Sequence, residues 1–180
     1  PVCLIKERPV PPSSIPGARA SPTQPFPTRP APLLPIGYSE DDLIDFTPEL
    51  RAEAKRIADQ YAKGPLYTPP VMVTATIKGA WLYPGTGGGP NWNGAAVDPA
   101  TGVMYTPIRR KPQSAGLKPG DPKTTNMAFY GGGGGAPIEG PRGLPILKPP
   151  YSELVATDMN TGTHLWRIPI GEAPDFVKTH

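Results

Sequence analysis

The chain has 180 residues, 37% of them apolar, which allows one domain with a modest core and argues against a wholly disordered chain. Its 29 prolines and 21 glycines indicate much irregular structure, and its single cysteine excludes an internal disulfide or a CxxC metal or redox pair. The net charge is +3 without a run of five or more like charges, so a nucleic-acid-binding surface is not supported. No apolar stretch is long enough to span a bilayer, so a membrane anchor is not supported either.

The first 38 residues are predicted to form a Pro-rich extended arm. Eleven prolines fall within residues 1–36, and this density favours extended polyproline conformations. Phe26, Leu33 and Leu34 are expected to anchor the arm on a folded body. Recognition by an SH3-like partner is the alternative, and we favour the arm because disordered linkers rarely carry such apolar spacing. Since the chain begins at Pro1 rather than at a methionine, we expect it to be a piece of a longer polypeptide.

Residues 39–64 are predicted to be a helical insertion. Thr47 is suited to cap the helix and Pro48 to its first position, and Gly64 is expected to end it. Apolar residues follow the cap at helical spacing: Leu50, Ala54, Ile57, Ala58 and Tyr61. Ser39 is expected to start a short turn before the helix. The acidic residues in this turn favour a helix start over a calcium site, because they lack the spacing of an EF-hand loop.

Residues 65–180 are predicted to be all-β. Short β-branched or aromatic segments indicate strands at 71–77, 80–83, 94–97, 103–107, 154–157 and 164–169. The five glycines at 131–135 are interpreted as a flexible loop, since no phosphate-loop lysine follows them. The basic run 109–111 is interpreted as a solvated face in preference to a surface for an acidic substrate. His164 and His180 lack a third zinc ligand.

An Asp-x-x-Thr-Gly repeat occurs twice in this β region. It begins at Asp98 and again at Asp158, sixty residues later. Each copy predicts a hairpin turn in which the aspartate caps the turn and the glycine adopts positive φ, so neither aspartate is expected to be a catalytic acid. A repeat of this size suggests propeller blades, and Trp166 is expected to pack in the core between them.

The second repeat lies within Ala156-Thr157-Asp158-Met159-Asn160-Thr161-Gly162-Thr163-His164-Leu165-Trp166, which resembles the tryptophan-docking motif of the pyrroloquinoline quinone (PQQ) dehydrogenases. The segment Gly88-Gly89-Pro90-Asn91-Trp92-Asn93-Gly94 is similar to the Gly-Gly-x-Asn-Trp-x-Gly segment of the same family, in its membrane-bound glucose, quinate and polyol branch. Non-enzymatic propellers share the docking motif, so the glycine-rich segment carries more weight.

This resemblance implies an all-β fold, a partial β-propeller with the Pro-rich arm and one helix. At about sixty residues per repeat, the chain would supply about three blades of an eight-bladed quinoprotein propeller. PQQ would bind near the axis with a calcium or magnesium ion. The implied cofactor-binding residues are Asn91, Trp92, Gly88 and Gly89, with turn capping as the alternative role for Asn91 and core packing as the alternative for Trp92. The catalytic residues and the metal ligands are expected outside this chain.

The implied function is part of a PQQ-dependent dehydrogenase that oxidises a sugar, polyol or cyclic alcohol. Electrons would pass to ubiquinone or a cytochrome, and the whole protein would be periplasmic and associated with the inner membrane. The chain would need the remaining propeller blades as partners and would be inactive alone. A non-catalytic propeller scaffold for protein assembly is the alternative, and a Pro-rich interaction protein with a small β module is a third possibility.

Overall fold

The structure is a computed structural model that describes residues 4–91, 94–131, 135–173 and 175–179. The strands are β1 (Leu4–Pro9), β2 (Thr23–Arg29), β3 (Val71–Met72), β4 (Ala80–Leu82), β5 (Ala96–Asp98), β6 (Val103–Arg109), β7 (Gln113–Pro119), β8 (Phe129–Gly131), β9 (Ala136–Pro137), β10 (Ser152–Asp158) and β11 (Thr163–Pro169). The helices are α1 (Pro48–Ala58) and the short α2 (Asp175–Lys178), and 3-10 turns occur at Glu40–Asp42 and Pro141–Gly143. The described chain is therefore mostly β, as the sequence predicts.

The two Asp-x-x-Thr-Gly hairpins lie side by side in one four-stranded antiparallel sheet with the order β11-β10-β6-β5. Strands β6 and β10 pair from Arg109↔Ser152 to Val103↔Asp158 and thereby join the hairpins. The expectation that each repeat marks a separate blade is corrected, because one sheet contains both copies. A four-stranded antiparallel sheet is the size of a single blade, and the expected count of about three blades is not confirmed.

The faces of this sheet have different surroundings. On one face, Val155 packs against Leu34 and Ile108. We call the other face the open face. On it, Tyr105 and Trp166 are the neighbours of the small Ala156 on the two adjacent strands. Pro107 and Ile168 are likewise the neighbours of Leu154 on this face. Trp166 is 41% exposed in this chain, where β11 is an edge strand, and its expected packing between blades stays a prediction.

A second sheet forms around β7, which the sequence does not predict. The first half of β7 pairs with β4 and β9, and the second half pairs with β3 and β8. The predicted strand 71–77 is shorter in the structure because the Thr74 amide donates to the Ile77 carbonyl over 2.9 Å, which closes a turn after Met72.

The Pro-rich arm is extended, but much of it pairs with itself. Strands β1 and β2 form an antiparallel ribbon from Pro9↔Thr23 to Leu4↔Arg29. Each strand of such a ribbon has a free edge, so prolines that donate no ladder hydrogen bond are tolerated. The predicted anchors are confirmed: Phe26 and Leu34 are buried, and Leu33 is packed beside Leu34.

Helix α1 starts as predicted but ends earlier. The Thr47 hydroxyl accepts a hydrogen bond from the Leu50 amide over 3.2 Å, and Pro48 is the first helical residue. The helix stops at Ala58, before the predicted Gly64, because Ala62 instead makes backbone hydrogen bonds to Gly79 and Trp81.

The main core forms where α1 meets the segments on either side of β4 and after β9. Its buried members are Leu43, Ile44, Leu50, Ala54, Ala58, Tyr61, Trp81, Tyr83, Ile138, Leu144, Ile146 and Leu147. Helix α1 is thus packed into the same core as the β segments. No described helix is long and apolar enough to cross a bilayer. The proposed division at residues 38 and 64 stays a prediction.

Candidate cofactor-binding site

A glycine-rich loop between β4 and β5 forms one wall of a cavity of about 320 Å³. The cavity is lined by Gly87, Gly88, Gly89, Asn91, Arg109, Lys111 and Gln113. Strand β6 supplies Arg109 at its last position, and β7 supplies Gln113 at its first. The structure therefore brings the sequence-predicted Gly88, Gly89 and Asn91 together with three polar residues that the sequence analysis did not assign to the site.

The three consecutive glycines of this loop, residues 87–89, have different structural roles. Gly88 has φ of +67°, and its amide donates to the Gly85 carbonyl over 2.8 Å, so it closes a turn that disfavours a side chain. A Cβ on Gly89 would overlap the Leu34 side chain of the arm. A Cβ on Gly87 would meet only the Asn91 amide nitrogen, at 4.0 Å. Gly87 is thus the glycine that leaves space beside Asn91.

Asn91 offers an uncommitted amide to the cavity. Its side chain is exposed and makes no hydrogen bond to any residue that the structure describes, whereas its backbone carbonyl accepts from the Gly94 amide over 3.0 Å. An amide side chain can both donate and accept, so this group is able to bind a ligand oxygen. Trp92, the aromatic residue among the predicted cofactor contacts, lies outside the described residues.

Gln113 holds the wall of the cavity in place. Its side-chain oxygen accepts from the Thr86 hydroxyl over 2.9 Å, and its side-chain nitrogen donates to the Gly135 carbonyl over 2.9 Å. The glycine-rich loop is thereby tied to the end of the five-glycine run, of which 132–134 lie outside the described residues. Sequence reasoning missed Gln113 because no motif marks it.

The basic run 109–111 divides between two environments, which corrects its interpretation as a solvated face. Arg110 is mostly buried: its guanidinium forms an ion pair with Asp42 at 3.0 Å and donates to the Tyr83 hydroxyl at 3.1 Å. Burial raises the pKa of Tyr83, although Arg110 acts in the opposite direction. Arg109 and Lys111 are exposed and line the glycine-loop cavity.

The two turn aspartates are structural, as predicted. In the first turn, Asp98 accepts from the Ala100 amide at 2.9 Å and from the Thr101 hydroxyl at 2.7 Å. Asp158 accepts from the corresponding groups of Asn160 and Thr161, each at 2.8 Å. The threonine hydroxyls, followed by the amides, lower the pKa of both carboxyls. The glycines that close the turns, Gly102 and Gly162, have φ of +69° and +67°.

His164 is a strand residue with two structural partners. Its Nε2 lies 2.9 Å from the Ala31 carbonyl, and its Nδ1 lies 2.9 Å from the Thr157 hydroxyl. Since a carbonyl only accepts, Nε2 donates, and β11 is thereby linked to the arm.

The acidic residues before α1 pair with cations, as in Asp45 with Lys148 and Glu40 with Lys55. The described residues contain no group of three metal-ligating side chains.

The chemistry of the cavity is that of binding. Its described lining offers backbone amides, two side-chain amides and two cations, and it includes no carboxylate or imidazole to act as a general base. Such a lining suits a ligand rich in oxygen atoms or negative charge.

Known proteins similar to this chain are oxidoreductases. The chain is 31% identical to a glycerol dehydrogenase large subunit from Gluconobacter thailandicus, over 96% of this chain and 26% of that protein. It is 26% identical to a probable quinate dehydrogenase (quinone) from Xanthomonas campestris pv. juglandis, over 97% of this chain and 24% of that protein. A quinate/shikimate dehydrogenase (quinone) from Acinetobacter baylyi is also 26% identical, with 97% of this chain and 23% of that protein covered.

The chain spans about a quarter of the length of these relatives. The family model described as the PQQ glucose/ethanol/alcohol dehydrogenase β-propeller domain matches residues 1–180. This chain therefore belongs to the PQQ-dependent dehydrogenase family.

Proposed function

We propose that this chain is one part of a PQQ-dependent dehydrogenase that oxidises a sugar, polyol or cyclic alcohol and passes the electrons to a quinone or a cytochrome. The observation that carries the proposal is the uncommitted Asn91 amide, which lies in a glycine-walled cavity within a segment that resembles the family's own. The relatives include proteins named glycerol and quinate dehydrogenase, which supports this substrate range.

The residues of the cavity fit a flat quinone cofactor that carries carboxylates. Gly87 leaves space beside Asn91, and Asn91 would donate its amide to a quinone or carboxylate oxygen. Gly88 and Gly89 would present backbone, and Trp92 would line the pocket. Bound PQQ would supply the oxidation of the alcohol carbon, whereas this chain's residues bind it and orient it. A calcium or magnesium ion would be held by residues outside this chain.

The open face of the four-stranded sheet is the surface that we expect to contact the remaining propeller blades. Trp166 and Ile168 are 41% and 47% exposed there, and apolar side chains of this size gain free energy when a neighbouring sheet covers them. The complete protein would be periplasmic and associated with the inner membrane.

The test is to express the complete polypeptide that carries this chain and to follow dye reduction with glycerol and quinate, with and without PQQ and calcium. The proposal predicts turnover that depends on PQQ. A complete protein that binds no PQQ and oxidises neither substrate would contradict it and would favour the alternative, a propeller scaffold for protein assembly.

A further inference from the structure

We propose that Arg109 and Lys111 form a carboxylate-binding pair at the glycine-loop cavity. The inference rests on the proposed function, and it assigns these two cations a role in recognising the acid group of a small organic ligand. That acid group belongs to either a hydroxy-acid substrate or the cofactor.

The basic run 109–111 is oriented by its middle residue. Arg110 is fixed by Asp42, by the Tyr83 hydroxyl and by the Pro150 carbonyl, to which it donates over 3.4 Å. Neighbouring side chains in an extended segment point to opposite sides. Burial of Arg110 therefore places Arg109 and Lys111 together on the other side, where both line the cavity.

The charges of Arg109 and Lys111 are not neutralised by an ion pair among the described residues. Among the residues described, no carboxylate lies within ion-pair distance of Arg109 or Lys111, in contrast to Arg110 with Asp42 at 3.0 Å. Charged hydrogen bonds from arginine and lysine to a carboxylate are stronger than neutral ones, and the arginine fork suits both oxygens of one carboxylate.

The glycine-loop cavity differs from a neighbouring cavity in the charge of its wall. Arg109 and Lys111 also line a second cavity of about 330 Å³, but Glu139 and Glu172 lie in the wall of that cavity and would repel an anion there. The wall of the glycine-loop cavity has no acidic residue among those described, and Asn91 and Gln113 add amide donors. An anion is therefore favoured in the glycine-loop cavity.

The Arg109–Lys111 pair would also allow the protein to discriminate acidic from neutral substrates. A hydroxy acid such as quinate carries a carboxylate, whereas a neutral polyol such as glycerol does not. The relatives include dehydrogenases named for each. If the substrate carboxylate is the ligand, neutralising the pair removes affinity for the acid alone.

The experiment uses the complete polypeptide with Arg109→Gln and Lys111→Gln, singly and together. Both side chains are exposed, so the substitutions leave the fold intact, which thermal unfolding checks. Lys118→Gln is the matched control, since Lys118 is an exposed lysine of β7 outside the cavity. Equilibrium dialysis measures PQQ affinity, calorimetry measures quinate binding to the cofactor-free protein, and steady-state kinetics give KM for quinate and glycerol.

We expect the double variant to lose at least about tenfold in affinity for one carboxylate ligand, while the control changes less than about twofold. A loss for quinate alone identifies the substrate carboxylate, and a loss for PQQ alone identifies the cofactor carboxylate. Added salt should weaken the affected binding in the wild type and have less effect in the double variant.

Unchanged affinity for both acids in the double variant would overturn the proposal, as would an equal rise in KM for glycerol and quinate in a double variant that binds PQQ as tightly as the wild type. These results differ from failure of the proposed function, in which the wild type itself neither binds PQQ nor turns over. In that case, calorimetry with quinate still compares the wild type with the double variant.

Discussion

At the scale of single residues, the glycine-rich loop shows how one residue type meets separate demands. Position 88 requires glycine because of its backbone conformation, and position 89 requires glycine because a side chain would overlap Leu34. Neither constraint applies to position 87. Gly87 is therefore the position at which a side chain tests ligand binding without disturbing the fold.

We predict that Gly87→Ala leaves stability within about 0.5 kcal/mol of the wild type but weakens PQQ binding, because the new methyl group fills space beside Asn91. Gly89→Ala should instead destabilise the protein by about 1–3 kcal/mol through overpacking against Leu34. Urea denaturation and equilibrium dialysis of PQQ measure the two effects. Normal PQQ binding by a folded Gly87→Ala protein would show that the ligand lies elsewhere.

The turn aspartates make the stability of the fold depend on pH in the acidic range. Hydrogen bonds from Thr101 and Thr161 lower the pKa of Asp98 and Asp158 in the folded state. A lowered folded pKa stabilises the fold above the unfolded pKa of about 3.9, and this stabilisation is lost as the pH falls through the folded pKa.

We predict that Asp98→Asn with Asp158→Asn makes the melting temperature less sensitive to pH below about pH 4. Asp41→Asn is the control, because the Asp41 carboxylate is 97% exposed and lies 3.8 Å from its nearest cation, Arg51. If the double variant lost stability in acid as steeply as the wild type, the turn carboxylates would not contribute.

At the scale of elements, Arg110 joins three parts of the fold. It follows β6, pairs with Asp42 in the turn before α1, and donates to Tyr83 in the segment after β4. The Arg110 and Asp42 side chains are only 9% and 18% exposed, so removal of one partner leaves a poorly hydrated charge.

We predict that Asp42→Ala destabilises the protein by about 3 kcal/mol and that adding Arg110→Met restores part of the loss. Asp41→Ala, which removes the exposed neighbouring carboxylate, should cost less than about 0.5 kcal/mol. Chemical denaturation measures all three. Similar values for Asp42→Ala and Asp41→Ala would show that the buried pair does not hold these elements together.

Local signals determined which elements the sequence predicts. Thr47 and Pro48 mark the start of α1, and the Asp-x-x-Thr-Gly turns mark both hairpins, because these structures depend on adjacent residues. The end of α1 and the pairing of β1 with β2 depend on distant partners, such as Gly79 for Ala62. Strand β7 contains glycine and proline and lacks β-branched residues, so propensity does not reveal it.

The candidate site was predicted in part for the same reason. Gly88, Gly89 and Asn91 belong to one recognisable segment, whereas Arg109, Lys111 and Gln113 reach the cavity through strand pairing. The basic run is visible in the sequence, but the burial of Arg110 that directs its neighbours into the cavity requires Asp42, 68 positions away.

At the scale of the whole molecule, the sheet that contains both repeats has one covered face and one open face. The ring centroids of Tyr105 and Trp166 lie 5.8 Å apart across Ala156 on the open face. Trp166 is exposed and Tyr105 is half-buried, and an exposed apolar patch of this kind marks a contact surface. We expect the rest of the polypeptide to cover them.

We predict that Trp166→Ala destabilises the complete polypeptide by about 3–5 kcal/mol, the cost of truncating a buried aromatic residue. Leu4→Ala, at a side chain that is 58% exposed on β1, serves as the control and should have little effect. Denaturation followed by circular dichroism provides the comparison. An equally mild effect at Trp166 would show that the open face stays uncovered in the complete protein.

The central claim, that the glycine-loop cavity holds the cofactor, is tested most directly by PQQ binding to the complete cofactor-free polypeptide. Equilibrium dialysis compares the wild type with Asn91→Ala and with the exposed control Asn126→Ala. We predict saturable binding that Asn91→Ala weakens by about tenfold or more, through loss of a hydrogen bond to a charged or quinone oxygen, while Asn126→Ala binds as the wild type does. Wild-type affinity in a folded Asn91→Ala protein would contradict the claim.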